Sequence, residues 1–168
     1  MKNLLLTSAG IVPEIRNDFL LLLTKPPAET KVAFVTTAAY GSDQKPVWMF
    51  KDRELLYACG IKQLVDLDIK NKTTAELESI LVDVDVIFVT GGNACYLLKW
   101  ARESGFGDVV LTHVKKGKLY AGSSAGSYLV CPSMEAALWK NSNKNQWGIT
   151  DLTGFKLVPF LIMAHFQE

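Results

Sequence analysis

The sequence predicts an α/β fold, an open and mostly parallel sheet with helices on both faces. Two runs rich in β-branched and aromatic residues, "KVAFVTTA" (Lys31 to Ala38) and "VDVIFVTGGN" (Val84 to Asn93), read as buried strands. Stretches of helical length and pattern separate the strands. Such alternation builds βαβ units, and these join parallel strands through right-handed crossovers. The predicted strands also run into corners of small residues, such as "TGGN" and "AGSSAG". Ligands of such sheets bind beyond the carboxyl ends of the strands, where these corners lie.

The elements follow in order. "NLLLTS" (Asn3 to Ser8) is a short apolar run, and a helical stretch from about Pro13 to Thr24 comes next. "KPPAET" is a loop before the strand at Lys31 to Ala38. Residues from about Lys45 to Cys59 look helical, with Gly60 as the C-terminal cap. "KQLVDLD" (Lys62 to Asp68) is a strand. Thr73 with Glu76 three positions on forms a capping-box pattern that opens the next helix. After the strand ending at Asn93, "ACYLLKWARESG" is a helix with Leu97, Leu98 and Ala101 as core positions. A further helix runs through "DVVLTHVKK", and "KLYA" (Lys118 to Ala121) is a strand. "KLVPFLIM" (Lys156 to Met163) reads as a late strand, with His165 just past its end.

A chain of 168 residues suits one domain with a real core, and no linker or shift in composition divides residues 1–168. The net charge of +1, with no block of like charge, gives nucleic-acid binding no electrostatic support. "FLLLL" (Phe19 to Leu23) is far too short to span a bilayer, and the N-terminus lacks the length and cleavage site of a signal peptide. Cys59, Cys95 and Cys131 show no CxxC spacing and there are two histidines, so no metal site is expected. Buried, reduced thiols in a cytoplasmic protein are the expectation.

Gly122-Ser123-Ser124-Ala125-Gly126 fits the G-x-S-x-G pattern, between a predicted strand and a predicted helix. A sharp strand-to-helix turn needs small neighbours, because its nucleophile sits in a strained backbone conformation. The central Ser124 is the candidate nucleophile, and Ser123 is expected to line the pocket. An ordinary tight turn is the alternative. A serine needs a base. His113 lies in "LTHVKKG", on a helix, where a surface position is expected. His165 lies where a catalytic loop should be and is the candidate base. Acyl transfer also needs donors for the developing oxyanion. The backbone N–H of Ala125, directly after Ser124, is one candidate. "TGGN" offers another at its glycines, or else makes only a tight βα turn. Asn93 either caps the following helix or contacts substrate.

"FVTGGNACYLL", "GKLYAGSSAGSYLVCPS" and "LVPFLIMAHF", in this order and spacing, resemble the three signature blocks of the peptidase E family of serine peptidases, which includes dipeptidase E and cyanophycinase relatives. The likeness runs from Met1 to about Phe166. It implies a class I glutamine amidotransferase-like sheet, a flavodoxin-like three-layer arrangement. It also implies a cytoplasmic peptidase that hydrolyses short peptides with N-terminal aspartate, without metal or cofactor. Block by block, Ser124 matches the nucleophile and His165 the base. Gly92 and Ala125 match the oxyanion donors, and Asn93 the asparagine of the glycine block. Serine at position 124 excludes amidotransferase chemistry, which puts cysteine on the elbow.

The sequence departs from the family pattern at the third triad member. The acidic residue expected between the serine and histidine blocks falls near Asn141, which cannot act as an anionic orienter. The remaining acids near enough in sequence are Glu135, Asp151 and Glu168. The family's pattern also continues well beyond the histidine block. On that ground the sheet is expected to lack its last strands, to associate through the exposed edge as a homodimer or higher oligomer, and to be weakly active. Two other readings remain open at this stage. One is a catalytically weakened homologue that binds a peptide or partner. The other is a different serine hydrolase, such as an esterase.

Overall fold

The computed structural model describes residues 3–41, 45–139 and 145–166. Within these residues five strands form one parallel sheet: β1 (Leu4–Thr7), β2 (Lys31–Val35), β3 (Gln63–Leu67), β4 (Val86–Val89) and β5 (Leu119–Ser123). Their order across the sheet is β1-β5-β4-β2-β3. Among the described residues, seven α-helices connect and cover them: α1 (Arg16–Leu21), α2 (Thr37–Tyr40), α3 (Val47–Ala58), α4 (Thr74–Leu81), α5 (Ala94–Glu103), α6 (Phe106–Lys115) and α7 (Ala125–Leu129).

Side chains alternate across each central strand, and this divides the core in two. Val32, Phe34, Val86 and Phe88 face α1 and α3, with Phe19, Met49 and Leu56 packed on them. Ala33, Val35, Ile87 and Val89 face the other way, toward α4 to α7. The Phe34 and Phe88 rings stack with centroids 5.5 Å apart. Burying side chains of this size stabilises the fold by about 1.5–3 kcal/mol each. The central strands are therefore covered on both faces, as their unbroken apolar runs require. Edge strand β3 is the exception, with Gln63, Val65 and Asp66 exposed.

Local signals set several boundaries. Thr73 accepts from the Glu76 N–H while the Glu76 carboxylate accepts from the Thr73 N–H, completing the capping box that opens α4. Gly60, just past α3, takes φ +91°, a conformation costly for any residue with a Cβ. Leu97, Leu98 and Ala101 are buried on α5 as expected, and Cys59, Cys95 and Cys131 are free and buried.

Two expectations are corrected. Residues 156–163 form no strand. Their leading N–H groups bond the carbonyls that end α7 instead of a ladder: Phe155 to Leu129 and Leu157 to Val130, each at 2.8 Å, and Lys156 to Cys131 at 3.2 Å. Pro159 then has no N–H to offer a neighbouring strand. His165 thus follows an irregular segment, not a strand end. His113 is the second correction, since it is buried at 4% exposure. It shares the inner face of α6 with Phe106, Val109 and Val110, and its Nε2 lies 3.2 Å from the Leu119 carbonyl oxygen. Burial, aided by the Lys118 charge, pushes its pKa down to about 4.

That shift predicts an acid-sensitive contribution to stability. Below about pH 6.5 the unfolded chain gains a proton at His113 that the folded chain refuses until about pH 4. The contribution is fully present above pH 6.5 and is lost as pH falls through this window, by about 3 kcal/mol in all. Urea unfolding at pH 7 and pH 4.5 should show a drop in the wild type that is smaller by about 2–3 kcal/mol in His113→Asn. Subtracting the two proteins cancels the opposite-signed contribution of Asp52, whose pKa burial raises. Equal pH dependence in both would contradict the assignment.

Candidate active site

The site lies at the carboxyl ends of β1, β4 and β5, and backbone contact builds it. Ser124 follows β5 directly and takes φ +50°, ψ −105°, a conformation disfavoured for any residue but glycine. Three bonds hold it there. Its N–H donates to the Thr7 carbonyl at 2.9 Å, while its own carbonyl accepts from Ser127 at 2.9 Å and Tyr128 at 3.1 Å. Ser127 adds a tie that the sequence reading missed. Its hydroxyl oxygen accepts from the Thr7 N–H at 2.9 Å and lies 2.8 Å from both the Thr7 and Gly122 carbonyl oxygens.

The glycines around the serine are steric requirements. A Cβ on Gly122 would lie 2.6 Å from the Gly126 carbonyl carbon, and one on Gly126 would lie 2.2 Å from the Val89 carbonyl oxygen. Helix α7 can therefore rest on β4 and β5 with no side chain between them. Gly92, at φ +145°, lies so close to α2 that a Cβ would overlap the Ala38 carbonyl at 2.1 Å. The Asn93 N–H donates to that same carbonyl at 2.8 Å. These contacts fill the crevice between β2 and β4, where the strand order reverses. A Cβ on Gly91 would lie 3.3 Å from the Ser124 Cβ, which puts the glycine corner directly beside the elbow.

The His165 ring comes to the same place. Its Nε2 lies 3.1 Å from the Ser124 Oγ, within hydrogen-bonding reach. The residue takes φ +57° and is exposed. Its N–H donates to the Ser8 hydroxyl at 3.4 Å. The preceding Ala164 is buried and donates its N–H to the Tyr128 hydroxyl at 3.0 Å, so a side chain of α7 holds the turn that carries the imidazole.

The other predicted positions are distributed as follows. Asn93 caps α5, its side-chain oxygen accepting from the Tyr96 N–H at 3.0 Å. Ser123 is 3% exposed, and its hydroxyl lies near the Asp52 carboxylate, whose charged form it favours. Glu135 is exposed on a 3₁₀ turn. Asp151 is engaged elsewhere, 3.2 Å from Arg102 and accepting from the Thr153 N–H at 2.8 Å; its bonds to Thr153 and the Arg102 charge hold its carboxyl below the usual range. Asn141 and Glu168 lie outside the described residues. Among the described residues no cluster of His, Cys, Asp or Glu could hold a metal ion, and no helix is long and apolar enough to cross a membrane.

Asp52 was not anticipated. It is 3% exposed on α3, between the core positions Met49 and Leu56, and accepts from the Thr90 hydroxyl at 2.6 Å. Burial raises its pKa, and the Thr90 hydrogen bond, with the nearby Ser123 hydroxyl and Gly91 N–H, opposes the rise. A carboxylate at a helix spacing otherwise taken by apolar residues was the available signal.

Residues 4–168 match the model of Peptidase family S51. The chain belongs to that family of peptidases. It is 29% identical over 170 residues to an uncharacterized peptidase of Listeria monocytogenes, covering all of this chain and 80% of that protein. It is 36% identical over 99 residues to Peptidase E of Citrobacter koseri, covering 57% of this chain and 40% of that protein. A crystal structure of a Listeria monocytogenes EGD-e protein assigned to peptidase E superposes with a TM-score of 0.83 at 27% identity, over 96% of this chain and 77% of that one.

Gly126→Ala tests the buttress, because two effects oppose each other. Alanine improves helix propensity by about 1 kcal/mol. The added methyl, however, meets the Val89 carbonyl oxygen 2.2 Å away, and relief requires α7 to lift off β4. Overpacking of this kind costs about 1–3 kcal/mol or more. A net loss of stability in thermal unfolding is expected, and a gain would show that the close approach does not constrain the helix.

Proposed function

We propose that this chain is a serine-type peptidase that hydrolyses short peptides through an acyl-enzyme on Ser124, with preference for N-terminal aspartate. The 3.1 Å approach of the His165 Nε2 to the Ser124 Oγ at a strained elbow carries this reading. The aspartyl preference rests on the resemblance to peptidase E and its relatives.

In this mechanism the Ser124 Oγ attacks the scissile carbonyl carbon as its proton passes to the His165 Nε2. The carbonyl oxygen becomes an oxyanion, which the N–H groups of Gly92 and Ala125 stabilise. The C–N bond then breaks, and His165 returns the proton to the departing amine. Water repeats the sequence on the ester and releases Ser124. Asn93, next to the oxyanion corner, is assigned to the substrate side, in addition to capping α5. The reaction uses no metal or cofactor. Free, buried cysteines accord with a cytoplasmic setting.

A fluorophosphonate probe followed by peptide mapping tests the nucleophile. Ser124 should carry the adduct, and a label on Ser123 would overturn the assignment. Ser124→Ala should abolish labelling, and His165→Asn should slow it by at least about 10³-fold. Hydrolysis of Asp-Leu compared with Ala-Leu tests specificity. Equal rates would remove the aspartyl preference, and turnover confined to short acyl esters would mark an esterase.

A further inference from the structure

Asp52 is a buried carboxylate outside the nucleophile–base pair, and its partners all lie beside that pair. The Thr90 hydroxyl donates to it at 2.6 Å. The Ser123 hydroxyl and the Gly91 backbone N–H lie near enough to favour its charged form. One carboxylate therefore sits between the residues that precede Gly92, to one of which it is bonded, and the residue that precedes Ser124. The surroundings are shaped to admit it: a Cβ on Gly10, at φ +75°, would lie 2.3 Å from its Oδ1. One helical turn earlier on α3, the Trp48 Nε1 donates to the Gly91 carbonyl at 3.0 Å. Gly91 is thus bonded to α3 at its C=O and faces it at its N–H, although its own lack of a side chain leaves its backbone free to turn.

Burying a carboxylate is costly and persists only where hydrogen bonds compensate it. An apolar residue at position 52 would pack between Met49 and Leu56 without that cost. Such a residue could not fix two loop ends relative to each other. We infer that Asp52 is a positioning residue: it sets the Gly91 corner against the elbow so that the N–H groups of Gly92 and Ala125 converge on one oxyanion. This inference deepens the serine-peptidase reading above and rests on it.

The test separates positioning from packing. With the fluorophosphonate probe, Asp52→Asn should lower the maximal inactivation rate by about tenfold or more and leave the probe's half-saturating concentration within about twofold, because the lost function acts after binding. Thr90→Val, which removes the hydroxyl but keeps the shape, should behave the same way. Thr90→Ser, which restores the donor, should stay within about threefold of wild type. Hydrogen exchange provides a readout that does not depend on chemistry at Ser124. In Asp52→Asn the Gly91 amide should exchange at least about tenfold faster while the ladder amides of Ile87 and Phe88 stay protected. Unchanged inactivation in Asp52→Asn, a Thr90→Ser defect as deep as that of Thr90→Val, or unchanged Gly91 exchange would each overturn the inference. A wild-type protein that takes no label would strike the serine reading instead, and the exchange result would then decide this one.

Discussion

The close approach of α7 to the carboxyl ends of β4 and β5 is the constraint on which the site depends. It is a contact of backbone on backbone, since neither Gly122 nor Gly126 has room for a methyl group. Because the helix sits this low, the chain must turn between Ser123 and Ala125 in a single residue. That residue bears the strain, φ +50° on a serine, worth about 1–3 kcal/mol. The Thr7 carbonyl, the Ser127 hydroxyl and the first bonds of α7 over-determine the turn, so relaxation would cost more than the strain releases. Strand β1 thereby serves the elbow as well as the sheet edge.

The same economy of space shapes the glycine corner. Gly92 rests on the Ala38 carbonyl, and Asn93 bonds to that carbonyl, so the ends of β2 and β4 are locked where the strand order reverses. The two faces of the sheet then divide the work. Helices α4 to α7 bury the larger core and deliver the elbow. Helix α3, on the opposite face, reaches around the end of the sheet with Trp48 and Asp52 to grip the glycine corner. Polar groups of this kind are tolerated in the interior because they are paired: the Thr90 hydroxyl donates to the Asp52 carboxylate, and the Trp48 Nε1 donates to the Gly91 carbonyl.

Features specified by neighbours in sequence were legible from sequence. The central strands follow from apolar runs, the start of α4 from Thr73 and Glu76, and the elbow from five small residues whose sterics are local. His165 could be placed beside Ser124 because the order of blocks put it there. Its support could not be read, since Tyr128 and the α7 carbonyls meet residues 155–164 only after the chain has folded. Lys156 to Met163 misled because an apolar run looks the same whether it pairs with a strand or seals a helix end. His113 misled for a different reason. Its lysine neighbours suggested solvent, whereas its spacing from Phe106, Val109 and Val110 placed it on the inner face of α6. Asp52 shows the converse pattern, a charge at a buried helical spacing whose meaning lies at the distant ends of β4 and β5.

The bond between the Tyr128 hydroxyl and Ala164 has a mechanical consequence. The imidazole is carried by a segment anchored on the short helix that begins beside the nucleophile. Breathing of the β-sheet moves anchor and hydroxyl together, so it leaves the spacing between the two reacting groups nearly unchanged. What remains is a hinge only a few residues long, around a turn whose ring is open to solvent. That hinge is itself tied to the end of β1 through the His165 N–H and the Ser8 hydroxyl, and a molecule arriving from the open side would meet the imidazole without disturbing the frame beneath.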